Sequence, residues 1–137
     1  MFLRRFTGPL LSAAKESTGI VGLDVVPNAR EVLIGLYDQT LKVVKDQIPE
    51  QAEYRRSVER ITNYRLKVCQ EEEEHDRIEQ RIGCGQVEEL IEQANDELEL
   101  IPVMVESKPW EVPEGYKVEI IEDTEPIPAH IPQHLST

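Results

Sequence analysis

One glutamate and one histidine have the spacing of metal ligands on a helix. Glu72 and His75 form a Glu-x-x-His pattern, which in di-metal helical bundles supplies a carboxylate and an imidazole from one helix. Such a site also needs a second Glu-x-x-His motif and two more glutamates, whereas His130 and His134 lie in a proline-rich stretch. The pattern therefore favours a solvated acidic helix end, and a metalloenzyme that uses Glu72 and His75 is kept as an alternative.

Other residues that could perform chemistry do not form a recognisable motif. Gly83 and Gly85 resemble part of a phosphate loop, but no strand precedes them and no Gly-Lys-Ser/Thr follows, so they predict a helix stop and a helix start. Cys69 and Cys84 fit no common zinc spacing and are expected to be free thiols in a reducing compartment. There is no Gly-x-Ser-x-Gly nucleophile. We therefore expect no catalytic, cofactor-binding or metal-binding residue, and no enzyme activity.

The charge of the chain indicates which partners it binds. The 137 residues contain 15 Lys and Arg against 27 Asp and Glu, for a net charge of −12. Nucleic acids require a basic surface, and charge-driven binding to anionic lipid requires one too. No apolar run approaches the ~18 residues of a membrane span. The expected partners are therefore proteins.

The N-terminal residues have a different composition from the rest. The first fifteen contain no acid and two arginines, and Phe2, Phe6 and Leu10 recur at helical spacing. Amphipathic, Arg-containing and acid-poor segments are typical of mitochondrial or plastid import. We expect residues 1–17 to be a mitochondrial targeting segment that is not cleaved, and the alternative is a frayed basic N terminus.

Three stretches have the periodicity of amphipathic helices. The first begins at Asn28, which is spaced from Glu31 as in a capping box, and it ends before Pro49. The second follows Pro49, runs to about Glu73 and continues into a short helical piece. Its inner face is predicted to contain Tyr54, Val58, Ile61, Val68 and Cys69, and the short piece contains Ile78 and Ile82.

The third helix begins near Gly85 and is expected to end at Pro102. The predicted fold is therefore all-α, a small up-down three-helix bundle over residues 28–101.

Two extensions flank the predicted bundle. Residues 18–27 are expected to form an extended arm, and residues 102–137 an extended, acidic, proline-rich and largely irregular tail. Residues 116–120 alternate like a strand. Trp110 is expected either to fold back on its own bundle or to bind a partner. The candidate anchors for a partner interface are Ile20, Val21, Leu23, Pro109, Trp110 and Tyr116.

Several strings, in order, resemble the alpha-subcomplex subunit 5 family of mitochondrial NADH:ubiquinone oxidoreductase, respiratory complex I. These strings include Thr18-Gly-Ile-Val-Gly-Leu23, Val58-Glu-Arg-Ile-Thr-Asn63, Gly85-Gln-Val-Glu-Glu-Leu-Ile91 and Lys108-Pro-Trp-Glu111. Together they span residues 18–111. Val25-Val-Pro-Asn-Ala-Arg30, Gly83-Cys-Gly-Gln86 and the end of the acidic tail resemble the plant branch of the family.

The resemblance implies a non-catalytic accessory subunit that braces the matrix arm of complex I and supports its assembly and stability. It further implies one copy per complex, bound to the core iron–sulfur and hydrophilic subunits of the quinone module and to other accessory subunits. The implied location is the matrix side of the mitochondrial inner membrane, held peripherally and without a cofactor of its own. The alternative is a free-standing acidic helical adaptor that binds basic protein partners through residues 71–74 and the tail.

Overall fold

The computed structural model describes residues 15–122 and residue 124. Within them the chain forms four α-helices and no strand: α1 (Ala29–Gln47), α2 (Glu53–Glu71), α3 (His75–Ile82) and α4 (Val87–Ser107). The predicted all-α class is confirmed. The three long predicted helices correspond to α1, α2 and α4, and the short predicted piece is α3. Most of the predicted targeting segment, residues 1–14, lies outside the described residues.

Helix α1 is the centre of the bundle. It packs against α2 on one side and α4 on the other, whereas α2 and α4 do not pack closely against each other. The short helix α3 contacts both α2 and α4 near one end of the bundle. This arrangement leaves part of the space between α2 and α4 open.

The buried residues form two separate clusters. The first core lies beside α3 and contains Ala29, Leu33, Tyr37, Leu66, Val68, Cys69, Ile78, Val87, Leu90 and Ala94. The second core lies at the opposite end and contains Val44, Ile48, Ala52, Val58 and Ile101. Both cores draw residues from α1, α2 and α4, so burial of apolar side chains at both ends holds the three long helices together.

Two arginines join the ends of neighbouring helices. Near the start of α1, Arg30 donates hydrogen bonds to the carbonyl oxygens of Cys69 and Glu72, at 2.8 and 2.9 Å. Near the start of α2, Arg55 donates one to the carbonyl oxygen of Ile48, at 2.9 Å. Each guanidinium thus satisfies carbonyls that the end of a helix leaves unpaired, and its positive charge faces the negative end of that helix dipole.

The turn into α4 depends on glycine. The Glu89 carboxylate accepts a hydrogen bond of 2.8 Å from the Gln86 backbone N–H, which is one half of a capping box at the start of α4. Gly85 has a φ of +102°, and a Cβ atom there would collide with the Glu89 carboxylate. Gly83, with a φ of +69°, ends α3 in the left-handed conformation. The predicted helix stop and helix start are therefore both confirmed.

One prediction about a helix end was wrong, and another had the correct N-cap residue but not the expected capping box. Helix α4 continues through Pro102 to Ser107, because Ile101 is fully buried and Met104 and Val105 pack against the second core. This burial outweighs the backbone hydrogen bond that a proline cannot donate. At the start of α1, Asn28 is the N-cap residue, but its side chain forms no capping hydrogen bond within the described chain. Glu31 instead lies 3.9 Å from Arg30.

The predicted inner face of α2 was correct except at one position. Val58, Val68 and Cys69 are buried and Tyr54 is half-buried, but Ile61 is half exposed. Thr62 and Leu66 are buried on this helix as well. Ile61 faces the open space between α2 and α4, which is why helical periodicity alone misassigned it.

Candidate functional site

The N-terminal arm lies on the bundle and projects only at its tip. Thr18 is buried, and its carbonyl oxygen accepts a hydrogen bond of 2.7 Å from the Gln86 side chain. Its hydroxyl donates to the carbonyl oxygen of Leu23 at 2.6 Å and closes a turn. Leu23 is half-buried, whereas Ile20 is exposed and Val21 fully so. The arm therefore presents two of its three candidate anchors to solvent.

A buried carboxylate fastens this arm to α4. Glu88 is 1% exposed and accepts hydrogen bonds from Lys15 Nζ at 2.7 Å and from the Val26 backbone N–H at 3.3 Å. Burial alone would raise the pKa of this carboxyl. The Lys15 and backbone hydrogen bonds outweigh that effect, and the pKa lies below its usual range. Glu88, removed from water, therefore holds the arm through Val26 and the residues just before the arm through Lys15.

Trp110, a candidate anchor, packs against its own bundle. Its ring is half-buried and lies on the second core, just after Lys108 ends α4 in the left-handed conformation. Of the two expectations for this residue, the structure therefore favours folding back. Pro109, beside it, is exposed.

Residues 111–122 form an extended segment with exposed apolar side chains. Those side chains belong to Val112, Tyr116, Val118, Ile120 and Ile121, with exposed fractions of 62–82%. The Tyr116 backbone N–H donates to the carbonyl oxygen of Pro113, and no strand pairs with the segment in the described part of the chain. The segment presents an apolar surface and free backbone hydrogen-bonding groups that suit a neighbouring protein.

Glu72 and His75 do not form a metal-binding group. The Glu72 carboxylate lies 2.9 Å from Arg81 and 3.9 Å from Arg77. Among the described residues, no three His, Cys, Asp or Glu side chains are grouped to hold a metal ion. The acidic end of α2 is thus paired with arginines of α3, an arrangement that links the two helices.

Both cysteines are free thiols, as expected. Cys69 is buried in the first core, and burial raises its pKa despite the nearby Arg30 and Arg65 guanidinium groups. A thiol with a raised pKa is a poor nucleophile at neutral pH. Cys84 is exposed in the turn between α3 and α4.

A groove of about 490 Å³ lies between α2 and α4. Tyr37 and Thr40 of α1 line it, together with Val58, Ile61 and Leu100 from the helices on either side. Two hydrogen bonds cross between these helices, from Tyr54 to Glu97 and from Arg65 to Gln93. Burial and the Glu97 carboxylate both raise the pKa of the Tyr54 hydroxyl, so it stays protonated and donates. Sequence reasoning missed this groove.

Tyr37 places a buried hydroxyl at the groove. The residue is 3% exposed, and its oxygen has no hydrogen-bond partner among the described residues. Burial raises the pKa of this hydroxyl to about 12, although the nearby Arg65 guanidinium lowers it. The hydroxyl is therefore neutral at physiological pH and available as a donor.

Known proteins resemble the chain over most of its length. The family described as "ETC complex I subunit conserved region" matches residues 22–89. A protein of Arabidopsis thaliana named probable NADH dehydrogenase [ubiquinone] 1 alpha subcomplex subunit 5, mitochondrial, is 59% identical over 134 residues. That match covers 98% of this chain and 79% of the relative. The chain belongs to the alpha subcomplex subunit 5 family.

Two relatives from outside plants are less similar than the Arabidopsis thaliana protein. The subunit 5 protein of Bos taurus is 42% identical over 97 residues, which covers 71% of this chain and 83% of the relative. The Candida albicans protein named alpha subcomplex subunit MCI4 is 42% identical over 94 residues, covering 69% of this chain and 68% of the relative. The family and its plant-like branch, both predicted, are therefore confirmed. In this subunit 5 family member, no helix of the described residues is long and apolar enough to cross a membrane.

Proposed function

We propose that the chain is an accessory subunit of mitochondrial NADH:ubiquinone oxidoreductase without an active site of its own. Membership of the subunit 5 family carries this proposal, since relatives with that name match across most of their length. The paired Glu72 and the high-pKa Cys69 support a non-catalytic role, because neither is placed to react.

The proposed location is the matrix side of the inner membrane, where one copy per complex is held peripherally. There the chain contacts the core iron–sulfur and hydrophilic subunits of the quinone module and other accessory subunits. A net charge of −12 disfavours binding to nucleic acid or anionic lipid, and this fits a chain whose partners are proteins. By bracing this part of the matrix arm, the subunit supports electron transport from NADH to ubiquinone.

The proposed mechanism is a clamp built on a rigid bundle. The bundle holds two apolar extensions, the tip of the arm at Ile20 and Val21 and the segment 111–122, and both are exposed. Ordering an extended segment costs roughly 1–2 kcal/mol per residue, so its apolar side chains must be buried on a neighbour to offset that cost. The candidate anchors that fit this role best are therefore Ile20, Val21 and Tyr116. The other three candidate anchors hold the base of each extension beside the bundle: Leu23 for the arm, and Pro109 and Trp110 for the segment 111–122.

Deleting the chain from plant mitochondria tests the non-catalytic role. The measurement pairs the amount of assembled complex on native gels with the NADH:ubiquinone rate per assembled complex. We expect less assembled complex and an unchanged rate for each complex that remains. A catalytic residue in this chain would instead lower the rate per complex by roughly 100-fold or more while assembly stayed intact.

A double variant tests the clamp itself. Val21→Ser with Tyr116→Ser removes exposed apolar side chains without touching either core, so the isolated subunit should keep its thermal stability. We expect reduced incorporation into the complex in a deletion background. The matched control is Val103→Ser, which removes an exposed apolar side chain from α4. Normal incorporation of the double variant would rule out the two extensions as anchors.

A further inference from the structure

The groove between α2 and α4 continues a space that a helix of this chain already fills. Helix α3 contacts both α2 and α4, and Ile78 is fully buried in the first core. Ile82, the last residue of α3, and Cys84 just after it share a surface with Ile61 and Arg65, which also line the groove. The groove therefore begins where α3 ends. An amphipathic helix could pack there between α2 and α4, as α3 does at the first core.

The two rims of the groove carry opposite charges. On the α2 side, Arg60 and Arg65 line the groove and its continuation, and neither pairs with a carboxylate of the described residues. Acids greatly outnumber bases in this chain, so two arginines without a carboxylate on one rim are unexpected. On the α4 side, the lining includes Asp96 and Glu97.

A buried donor lies beside the basic rim. No acceptor for the Tyr37 hydroxyl hydrogen lies within hydrogen-bond distance among the described residues, and the Arg65 guanidinium is close enough to lower the pKa of that hydroxyl. The Arg65 guanidinium donates to the Gln93 side chain at 3.0 Å, and it pairs with no carboxylate of the described residues. A buried hydroxyl that has no acceptor is destabilising. A carboxylate brought to Arg65 would give both groups an acceptor.

We propose that this groove is the docking site for an amphipathic helix of a neighbouring subunit. The apolar face of that helix covers Ile61 and Leu100, its carboxylates face Arg60 and Arg65, and its basic residues face Asp96 and Glu97. The site is separate from the two extensions of the clamp. The inference rests on the proposed function, because it takes the occupant from the same assembled complex.

Site-specific photo-crosslinking on the intact complex identifies the occupant. Benzoylphenylalanine replaces Ile61 in one variant and Asp38, an exposed residue of α1, in the control. The Ile61 probe should crosslink to one helical peptide of another subunit, and that peptide should carry acidic and basic residues on opposite edges. The control should not capture the same peptide. Crosslinks to residues 1–14 or 125–137 of this chain, to a second copy, or to no peptide would each overturn the proposal.

A charge reversal tests the basic rim independently. Arg65→Glu should lower the ratio of bound to free subunit at least about tenfold, since opposing a docked carboxylate with a like charge costs several kcal/mol. Arg56→Glu is the matched control, because Arg56 lies on the same helix, is exposed and does not line the groove. Thermal melting of both isolated variants measures any effect on folding. Equal retention of the two variants, at equal stability, would overturn the proposal.

The two proposals fail in different ways. If the wild-type chain does not co-purify with the complex, the proposed function is wrong. If the wild type assembles but the Ile61 probe and Arg65→Glu behave like their controls, only the groove proposal is wrong.

Discussion

The two ends of the bundle are held together by different kinds of interaction. Around the first core, apolar packing is combined with polar contacts that cross long distances in sequence, notably Glu88 with Lys15 and Arg30 with the end of α2. The second core contains fewer buried residues, and the half-buried Trp110 packs against it. The open groove lies between the two cores, since Tyr37 and Ala94 of the first and Val58 of the second line it, and the extended segment 111–122 follows the second core.

This difference separates the folding role of the molecule from its proposed binding role. At the first end, α3 and the arm cover the core, and the tip of the arm at Ile20 and Val21 is exposed. The groove and the segment 111–122 expose further apolar side chains, and the clamp and groove proposals assign these, with the tip of the arm, to neighbouring subunits. Substitutions at the first end should therefore act mainly on stability, and substitutions around the groove mainly on assembly.

Leu33→Ala should have the largest effect on stability. Leu33 is fully buried in the first core, and a buried leucine truncated to alanine costs about 2–5 kcal/mol. Leu100→Ala, at the groove, is the matched control and should cost under about 1 kcal/mol because Leu100 is 41% exposed. Chemical denaturation of the isolated subunit measures both. Equal losses would contradict the distinction between the first end and the groove.

Pro102→Ala should stabilise the second end. Alanine restores a backbone N–H inside α4, and proline is about 3 kcal/mol less favourable than alanine in a helix interior. We expect a gain of up to about 3 kcal/mol in the free energy of unfolding. A loss of stability would mean that the shape Pro102 gives α4 is required for packing of the second core.

Glu88→Gln should destabilise the first end by about 1–3 kcal/mol at pH 7, because Lys15 loses the nearer of its two carboxylate partners and keeps only Glu79, at 3.8 Å. The folded-state pKa of Glu88 lies below its ordinary value of 4.5. Its contribution is therefore complete above that pH and is lost as the pH falls through the lower folded-state value. Denaturation curves from pH 7 to pH 3 should show the wild type and the variant converging. Glu89→Gln, at the neighbouring residue of the capping box, is the control for the general effect of losing one negative charge.

Tyr37→Phe should have the smallest effect on the isolated subunit. The hydroxyl it removes has no partner among the described residues, so the variant should be as stable as the wild type or more stable by up to about 1 kcal/mol. The same variant should be retained less well in the assembled complex. In the wild type, absorbance titration should detect one tyrosine ionising near pH 12. A clear loss of stability in the free subunit would show that the hydroxyl is paired there.

Local pattern was sufficient to predict the helices and insufficient to predict what covers them. The stripe of α2 includes both Val58 and Ile61, and nothing in its periodicity distinguishes the covered residue from the exposed one. Glu88 and Glu89 are neighbours of the same type, yet only Glu88 is buried, because its partners Lys15 and Val26 lie 73 and 62 residues earlier. The predicted end of α4 at Pro102 was wrong for the same reason. The helix continues to Ser107 because residues around Pro102 are buried against other helices, which is a tertiary effect.

The central claim is that this chain works as part of a large respiratory assembly, and size fractionation tests it most directly. A tagged copy expressed in plant mitochondria is solubilised in mild detergent, separated on a native gradient and quantified by mass spectrometry in every fraction. We expect the chain to peak with the core subunits of NADH:ubiquinone oxidoreductase at a ratio of about one copy per complex. A peak of the free chain at low mass, as expected of an independent acidic adaptor, would contradict it.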